Sequence, residues 1–377
     1  MFPSSYAPNL GGVEQLTARL AAGLESAGHE VGVITNRWPS DLPQRDRLDG
    51  IVVERIAFVA PTRQPVSLLR FVVEGPLAAA RTIRAVRRAR AEIVHVQCVS
   101  VNALYALVAA RVLRIPLVVT MQGELTMDTH QVYEHSFLLP RLLRYLLRRA
   151  DRVTACSGQT LREAEERMAV VTGRRGSVVF NGVDLEEFER PVPDAENTPF
   201  VFAIGRHVPE KGFDVLIEAF ARLGRDDLRL VIAGDGSEHR SLRSMADRLG
   251  VGDRVELPGR ANRERTAELF RGCEYFVLPS RHEPFGIVNV EAMASEKAII
   301  ATAVGGVPEI VRDGDNGLLV EPGDAAALAD RMRTLLDEPE LRDRLAAAGR
   351  KAADDFAWPA ITARYVSVYE AALADRS

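Results

Sequence analysis

Residues 280–294 read Ser-Arg-His-Glu-Pro-Phe-Gly-Ile-Val-Asn-Val-Glu-Ala-Met-Ala, and they join a predicted strand to a predicted helix. The apolar run at residues 275–278 is typical of a short buried strand. Pro284 and Gly286 indicate a tight loop, and apolar residues at helical spacing begin at Ile287. The stretch therefore predicts a strand, a loop and the start of a helix.

Two glutamates flank the predicted helix start. The first-turn N–H groups, here near Phe285 to Val288, favour an anion such as a phosphate. Glu283 lies in the loop and Glu291 about one turn into the helix. Because carboxylates accept hydrogen bonds from sugar hydroxyls, the combination suits a nucleotide-sugar. A turn with one solvated and one capping glutamate explains the same residues, and the residues alone leave both interpretations open.

The stretch resembles the Glu-x-Phe-Gly-x-x-x-x-Glu signature of the family-four retaining glycosyltransferases, also described as glycosyl transferases group 1. The resemblance covers nearly the whole chain and is strongest over residues 203–320. It implies an α/β protein of the GT-B fold, with two Rossmann-like, doubly wound domains facing across a cleft. The sugar donor would be bound mainly by the second domain.

Composition limits the class of protein. The 377 residues suggest two domains, and a hydrophobic content of 47% is enough for two cores. A net charge of −4 gives no general basic field for a nucleic acid. The three cysteines, Cys98, Cys156 and Cys273, are far apart, as is typical of buried thiols in a reducing cytoplasm. No apolar run reaches the roughly 20 residues of a membrane span.

Apolar strands alternate with helical patterns in both halves, which predicts a parallel sheet with helices on both faces in each half. In the first half we predict strands at 29–35, 50–59, 93–96, 116–120 and 153–157, and helices after Gly12, at 66–90, 103–113 and 136–149, and through Leu161 and Met168. In the second half we predict strands at 200–204, 228–233, 255–257, 275–278, 297–302 and 317–320, and helices at 213–223, 239–249, 263–271, 324–336 and 339–355.

The Pro-rich, charged segment 189–199 is typical of a linker, so we predict a domain boundary there. Residues 1–190 would form an N-terminal Rossmann-like, acceptor-binding domain. Residues 191–357 would form a C-terminal Rossmann-like, nucleotide-sugar-binding domain. A helix within 358–377 would cross back to the first domain.

The start of the chain departs from the pattern of a doubly wound sheet, which opens with a buried strand. The Gly11-Gly12 turn should follow that strand, yet only Met1–Leu10 precede it. We therefore expect the first strand to be missing through a misassigned start or a truncation.

The predicted strand ends of the second half carry glycines, cations and carboxylates. Ligands of open parallel sheets bind beyond the carboxyl ends of the strands, and glycines allow close backbone approach. Arg206 and Lys211 suit a diphosphate, although a single such cation is usually a surface charge. The strand ends are Gly205-Arg206, Gly234-Asp235-Gly236, Gly259-Arg260, Glu283 to Gly286, and Gly305-Gly306.

The resemblance assigns roles to these positions. Arg206 and Lys211 would contact the diphosphate, and Glu283 would hold hydroxyls of the transferred sugar; these three are the catalytic candidates. Glu291 would bind the ribose hydroxyls. The other donor-binding candidates are Gly12 near the diphosphate, Gln122, Gly234, Arg260 beside the base, and the backbone N–H groups of Phe285, Gly286 and Ile287.

One position departs from the family pattern. The family often has a histidine in the loop after the strand that ends at Thr120, where this chain has Gln122. Glutamine can hydrogen-bond a sugar hydroxyl but cannot change its charge. Whether His130 or Glu124 replaces the histidine stays open.

The resemblance implies a retaining transfer of a hexose-type sugar from a UDP-sugar, or a GDP-sugar as the second choice. The acceptor would be a hydroxyl of a glycan, a lipid-linked sugar or a small molecule. No cofactor or metal is implied, because cationic side chains and helix dipoles neutralise the leaving diphosphate. The alternatives are a sugar-nucleotide epimerase on the same fold and a non-catalytic sugar-nucleotide-binding protein.

The predicted helix 136–149 places Arg141, Arg144 and Arg148 on one side and leucines on the other. An amphipathic Arg/Leu helix can lie on anionic lipid, and the same pattern is typical of a core helix with a solvated face. We expect a cytoplasmic protein, with peripheral contact at the inner face of the membrane as an open alternative.

Overall fold

The computed structural model describes residues 1–8, 11–62, 64–125, 133, 136–189 and 198–376. It divides into two compact units. Unit 1 comprises Met1–Gly182 with Trp358–Ser377, and unit 2 comprises Val183–Ala357.

The elements follow one another in chain order. The strands are β1 (Phe2–Pro3), β2 (Gly32–Asn36), β3 (Arg45–Leu48), β4 (Ile51–Ile56), β5 (Val94–Gln97), β6 (Leu117–Met121), β7 (Arg152–Ala155), β8 (Gly176–Val178), β9 (Phe200–Ile204), β10 (Arg229–Ala233), β11 (Val255–Glu256), β12 (Phe276–Leu278), β13 (Ile299–Thr302) and β14 (Leu318–Val320). The helices are α1 (Gly12–Ser26), α2 (Pro65–Arg88), α3 (Val101–Leu113), α4 (Leu139–Arg149), α5 (Gly158–Met168), α6 (Glu186–Glu189), α7 (Phe213–Leu223), α8 (His239–Arg248), α9 (Arg263–Gly272), α10 (Ile287–Ala294), α11 (Ala325–Asp337), α12 (Pro339–Ala353) and α13 (Trp358–Ala374).

The units divide at Gly182, before the predicted boundary at residue 190. The physical reason is that residues 183–189 pack within unit 2. Val183 N donates a hydrogen bond to Phe356 O (2.9 Å), and Phe188 on α6 is buried. Of the predicted linker, residues 190–197 lie outside the described residues.

Unit 1 contains a parallel sheet in the order β1-β5-β6-β7-β8 and a smaller sheet in the order β2-β4-β3. Successive residues of β6 point to opposite faces. Leu117, Val119 and Met121 pack in the cluster that includes α2, α3 and α4, whereas Val118 packs with α1 and α13. The sheet is therefore covered by helices on both faces.

Strand β1 corrects the expectation that the first strand is missing. Phe2 and Pro3 pair in parallel with Val96 and Gln97 of β5. On the other side, Ile34 N of β2 donates a hydrogen bond to the carbonyl oxygen of Met1 (2.9 Å). The strand escaped the sequence pattern because it is only two residues long and one of them is proline.

The charged strand β3 was not predicted either. It pairs antiparallel with β4 and reads Arg-Asp-Arg-Leu. An edge strand can carry charged side chains because one side faces solvent, so its sequence lacks the apolar run of a buried strand.

Helix α4 is a core helix with a solvated face. Leu142, Leu143, Leu146 and Leu147 are buried, whereas the arginines of α4 are exposed. The burial of these leucines supports a core helix rather than a helix that lies on lipid, because buried side chains are not available to lipid. No helix among the described residues is long and apolar enough to span a bilayer.

Unit 2 contains one six-stranded parallel sheet in the order β11-β10-β9-β12-β13-β14. The chain moves outward from β9 to β11, and then returns to the other side of β9 to form β12. This is the strand order of a doubly wound nucleotide-binding fold, and its order reverses between β9 and β12.

His95 is a buried polar group in the sheet of unit 1. Its Nε2 lies 2.6 Å from Thr120 Oγ1, and its Nδ1 lies 2.7 Å from Tyr369 Oη on α13. Burial, together with the charge of the N-terminus, lowers the pKa of His95 to about 3. The imidazole is therefore neutral in the folded protein at neutral pH.

We predict that His95 makes unit 1 sensitive to acid. Below the unfolded-state pKa of about 6.5 the unfolded chain binds a proton that folded His95 does not, so stability is lost as the pH falls. The loss should be about 2 kcal/mol between pH 7 and pH 5. Urea unfolding of wild type and His95→Gln measures it: the variant should be less stable at pH 7 and lose less on acidification. Equal pH slopes for the two proteins would contradict the assignment.

Candidate functional site

The carboxyl ends of β9 and β12 mark the point at which the strand order of unit 2 reverses. Ligands of doubly wound sheets bind in the crevice at such a point. The loop at 205–212 leaves β9 and carries Arg206 and Lys211, and the loop at 279–286 leaves β12 and carries Glu283. The three predicted catalytic residues thus lie on the two loops that start at this crevice.

Lys211 and Glu283 form an ion pair between the two loops. Lys211 Nζ donates to Glu283 Oε2 at 2.6 Å, and the exposed fractions of the two side chains are 13% and 9%. Ser280 Oγ lies 3.4 Å from the same carboxylate oxygen. An ion pair that is this buried depends on accurate positioning, because both groups have lost most of their contact with water.

The backbones of the two loops are also joined. The N–H groups of Arg281 and His282 both donate to Glu210 O, at 2.7 and 3.2 Å. A Cβ added at Gly212, whose φ is +65°, would overlap the carbonyl oxygen of Pro279. Glycine at this position therefore permits the close approach that brings Lys211 to Glu283.

Arg281 adds a second connection between the loops. Its Nη1 and Nη2 donate to the two carboxylate oxygens of Asp214, in the first turn of α7, at 2.8 and 2.6 Å. A bidentate guanidinium–carboxylate contact fixes direction as well as distance. This contact holds the start of α7 against the loop that carries Glu283.

The loop after β12 ends at the N-terminus of α10. Gly286 has a φ of +87°, and a Cβ there would lie 3.3 Å from Cγ of Glu283 and 2.8 Å from Nδ2 of Asn289. Phe285 is buried and its ring lies 6.1 Å from that of Phe356. The backbone at Gly286, directly before α10, therefore lies close to the side chain of Glu283.

Asn289 was not singled out from the sequence. It is fully buried in the first turn of α10, and neither polar atom of its amide has a hydrogen-bond partner among the described residues. An unpaired buried amide is costly, so this position is a candidate for contact with a ligand or water. The sequence does not single out Asn289, because its burial and its unpaired amide are properties of the folded protein.

Glu291 is held by a cation that sequence reasoning missed. Arg263 Nη1 donates to Glu291 Oε1, and Arg263 Nε donates to Glu187 Oε2 at 2.5 Å. The guanidinium lies 4.7 Å from the centre of the Phe188 ring. Burial raises the pKa of Glu291, and the charge of Arg263 opposes that rise.

Arg263 could not be found from spacing. It opens α9, directly after Asn262, whose side chain accepts a hydrogen bond from Arg265 N and caps the helix. The sequence contains many arginines in helical segments, and Arg263 is far from both glutamates along the chain. The cap was the only local signal, and it predicts a helix start without indicating a charge partner.

The loops after β9 and β10 meet through two histidines. His207 is fully buried, its N–H donates to Asp235 O (2.9 Å), and its Nδ1 lies 3.0 Å from Nδ1 of His239 on α8. Burial, followed by the charge of His239, lowers the pKa of His207. A Cβ at Gly234, another predicted donor-binding residue, would overlap the carbonyl oxygen of Gly205.

Arg260 lies on the loop after β11. Gly234 N donates to the carbonyl oxygen of Gly259 (2.8 Å), which joins this loop to the one after β10. The side chain of Arg260 is 86% exposed, and its Nε lies 4.0 Å from Asp235 Oδ2. The predicted contact of Arg260 with the base uses its backbone atoms. That role stays a prediction.

Two predicted donor-binding residues, Gly12 and Gln122, belong to unit 1. Gly12 is the first residue of α1, and a Cβ there would meet no described atom within 4 Å. Gln122 follows β6, and its Nε2 lies 3.5 Å from Gln97 Oε1. Both glutamines line a small cavity with Asn181 and Tyr365.

Glu124 holds the loops of unit 1 together. Its Oε1 accepts from Val99 N (2.8 Å) and its Oε2 accepts from Gln122 N (2.7 Å). Burial raises the pKa of Glu124, and these N–H groups oppose the rise. Glu124 and His130 are the two residues that could replace the family's histidine. The carboxylate of Glu124 is bound to backbone N–H groups, and His130 lies outside the described residues.

The structure therefore gathers most of the predicted site at the carboxyl edge of the unit 2 sheet. The residues gathered there are Arg206, Lys211, Gly234, Arg260, Glu283, Phe285, Gly286, Ile287 and Glu291. Their roles towards a ligand stay predictions. Within the described ranges, no group of three or more His, Cys, Asp or Glu side chains is arranged to hold a metal ion.

Two family models match the chain. The one described as Glycosyltransferase Family 4 matches residues 10–187, and the one described as Glycosyl transferases group 1 matches residues 184–352. A protein of Methanocaldococcus jannaschii named as an uncharacterized glycosyltransferase is 30% identical over 258 residues, which are 68% of this chain and 69% of that protein. N-acetyl-alpha-D-glucosaminyl L-malate synthase of Bacillus anthracis is 27% identical over 381 residues, covering 98% and 96%.

A solved structure of HepE from Anabaena in complex with UDP has the same fold. It matches with a TM-score of 0.77 at 22% identity over 97% of each chain. Another structure of HepE is in complex with UDP-glucose. The likeness confirms the predicted α/β fold with two Rossmann-like units.

We predict that removing Arg263 destabilises unit 2 by leaving Glu291 buried without its cation. Arg263→Leu should lower the free energy of unfolding by about 2 kcal/mol, below the usual range for a buried pair because Arg263 is partly exposed. The deficit should shrink as the pH is lowered from 8 to 6, because unpaired Glu291 then takes up a proton in the folded state. Urea unfolding at both pH values measures these changes.

A matched control lies on the same helix. Exposed Arg265 pairs with half-buried Glu268 in a solvated contact, so Arg265→Leu should change stability by only about 0.5 kcal/mol. Adding Glu291→Gln to Arg263→Leu should restore part of the loss. If the double variant is no more stable than Arg263→Leu, the loss does not come from an uncompensated charge on Glu291.

Proposed function

The chain belongs to the glycosyl transferases group 1 family, and on that premise we propose that it transfers a hexose from a nucleotide-sugar to a hydroxyl group of an acceptor. The observation that carries the proposal is the Lys211–Glu283 pair at the carboxyl edge of β9 and β12. A cation and a carboxylate lie there beside a helix N-terminus, where a diphosphate and a sugar can be bound together.

The diphosphate contacts Lys211, Arg206 and the first-turn N–H groups of α10 in this proposal. Lys211 is a compact cation that can contact a phosphate while it stays beside Glu283. The carboxylate of Glu283, already directed by Lys211 and Ser280, accepts hydrogen bonds from the sugar hydroxyls. Arg206 is exposed at the start of the loop that carries Lys211.

Glu291 binds the ribose in this proposal. Arg263 engages Oε1, which leaves Oε2 of the same carboxylate to accept from a ribose hydroxyl. UDP is the proposed nucleotide, with GDP as the second choice. The support for UDP is the fold shared with HepE, which has been solved with UDP and with UDP-glucose.

We propose a retaining transfer. The bond from the sugar C1 to the leaving phosphate oxygen breaks, and positive charge develops on the sugar ring. The acceptor oxygen forms its bond to C1 on the same face, and its proton passes to the leaving phosphate. Lys211, Arg206 and the helix N-terminus stabilise the negative charge of the diphosphate, so the proposed reaction needs no metal.

Gln122 and the acceptor complete the proposal. The amide of Gln122 can hydrogen-bond a sugar hydroxyl and does not titrate, so it would position a substrate rather than move a proton. The acceptor hydroxyl belongs to a glycan, a lipid-linked sugar or a small molecule. We propose that the enzyme works in the cytoplasm, where its three free cysteines stay reduced, with peripheral contact at the inner face of the membrane.

Product analysis tests the proposed reaction. The enzyme is incubated with a panel of UDP- and GDP-sugars and with glycan, lipid-linked and small-molecule acceptors, after exhaustive chelation of divalent cations. We expect UDP release coupled to a new glycoside with the donor's anomeric configuration, assigned by proton NMR. An epimerised sugar nucleotide would indicate the epimerase instead, and activity that requires added Mg²⁺ or Mn²⁺ would contradict the metal-free proposal.

We predict that Lys211→Met lowers kcat by about 10²–10³, the scale of one lost electrostatic contact to a developing charge. The donor KM should rise much less, because the contact strengthens as the diphosphate leaves. Steady-state kinetics at varied donor concentration measure both constants. Lys351→Met, at an exposed position on α12, is the matched control and should leave kcat unchanged.

Loss of Lys211 also leaves Glu283 unpaired, so folding must be checked separately. A thermal melt of Lys211→Met establishes that the variant is folded at the assay temperature. A folded variant with wild-type kcat and a raised donor KM would show that Lys211 contributes equally to substrate and transition state, contrary to the proposal.

A further inference from the structure

Helix α2 exposes a second apolar face to solvent. We define the α2 apolar stripe as Val66, Leu69, Val72, Val73 and Leu77. The first four of these side chains are between 67 and 78% exposed. The core-facing side of the same helix is formed by other residues, namely Gly75, Ala78, Thr82, Ala85 and Val86.

The α2 apolar stripe is continuous. Val66, Leu69, Val73 and Leu77 follow one another at intervals of three or four residues, so they lie in one line along the helix. No element among the described residues covers this line, as the exposure of its side chains shows. A contiguous apolar surface of this kind marks an interaction site.

The same face of α2 becomes basic towards its C-terminal end. Arg84 lies seven residues after Leu77, and Arg87 lies three residues further on, so both continue the line of the α2 apolar stripe. Both side chains are exposed. The helix thus presents apolar side chains in its first half and arginines in its second half on one outward face.

Neighbouring helices add to this positive charge. Helix α3 packs against both α2 and α4 in the layer on one face of the sheet. The three helices contain a single acidic residue, Glu74, which pairs with Arg70. Their arginines are Arg70, Arg81, Arg84, Arg87, Arg88, Arg111, Arg141, Arg144, Arg148 and Arg149. This layer is strongly cationic although the chain has a net charge of −4.

We propose that the α2 apolar stripe, together with the arginines of this helical layer, binds the surface of a lipid bilayer with anionic head groups. The valine and leucine side chains would enter the boundary between head groups and acyl chains, and the arginines would contact lipid phosphates. The apolar contact belongs to α2 and not to α4, whose leucines are buried.

Charge decides between lipid and other occupants. A second copy that used the same face would bring two arginine-rich layers together, which repel each other. A nucleic acid would match the arginines and leave the apolar stripe in water. An anionic bilayer complements both features. The inference rests on the membrane contact included in the proposed function, for which it names the surface. It does not rest on the transfer reaction, because α2 carries none of the residues assigned to the donor.

Co-sedimentation with vesicles tests the proposal. The vesicles are either pure phosphatidylcholine or equal parts of phosphatidylcholine and phosphatidylglycerol. We expect the protein to bind the phosphatidylglycerol vesicles at least about tenfold more strongly, with an affinity that falls at high salt because the arginines are screened. Equal binding to both vesicle types, or binding to neither, would overturn the proposal.

Two pairs of substitutions separate the apolar and the charged contributions. Leu69→Gln with Val73→Gln, and Arg84→Glu with Arg87→Glu, should each reduce binding by about tenfold or more. The matched controls are Val171→Gln, at an exposed valine outside α2, and Arg240→Glu with Arg248→Glu on α8. The controls should bind as wild type does, and circular dichroism verifies that all variants are folded.

Two further results would distinguish lipid from a second copy of the chain. If the glutamine variant binds vesicles as wild type does, the stripe does not contact lipid and the proposal fails. If wild type is a dimer that the glutamine variant converts to a monomer, without any vesicle binding, the occupant is a second copy. UDP binding is measured by calorimetry in parallel and should be unchanged in the α2 variants. Failure of wild type to bind UDP would count against the proposed function and leave the lipid proposal standing.

Discussion

The ion pair between Lys211 and Glu283 is the contact on which the site in unit 2 depends. An ion pair with so little exposure is favourable only if the positions of its two groups are accurate, because each group has lost most of its hydration. That accuracy comes from the backbone contacts between the two loops and from the bidentate contact of Arg281 with Asp214. The loops are therefore held in fixed positions before any ligand binds, as the proposed contacts with a diphosphate and a sugar require.

Two other carboxylates, buried Glu291 and half-buried Glu124, are stabilised in different ways. Glu291 shares Arg263 with Glu187, so a cation compensates its burial. Glu124 accepts hydrogen bonds from two backbone N–H groups, so dipoles compensate its burial. One oxygen of Glu291 is therefore directed by a cation, whereas the two oxygens of Glu124 connect backbone segments. The environment, rather than the residue type, separates the two roles.

Helices α2 and α4 of unit 1 also show that the environment of a side chain, and not only its type, determines its role. Helix α4 has the stronger amphipathic pattern in its sequence, yet its leucines complete the core. Helix α2 has small residues at its core-facing positions and large apolar residues facing out. The apolar content of a helix therefore does not by itself indicate whether the helix can contact lipid. The side of the helix that packs on the sheet must be known first.

The sequence by itself determined the alternation of strands and helices, the two Rossmann-like units and the family. It did so because buried parallel strands are short apolar runs, and because Glu283, Phe285, Gly286 and Glu291 lie close together along the chain. Tertiary structure alone decided the partners of those residues. Arg263 contacts Glu291 from a different helix, and His207 contacts His239 from the loop after a different strand. Contacts between elements that are distant along the chain leave no periodicity in a sequence. The two-residue strand β1 belongs to the same class, since its neighbours in the sheet, and not its composition, make it a strand.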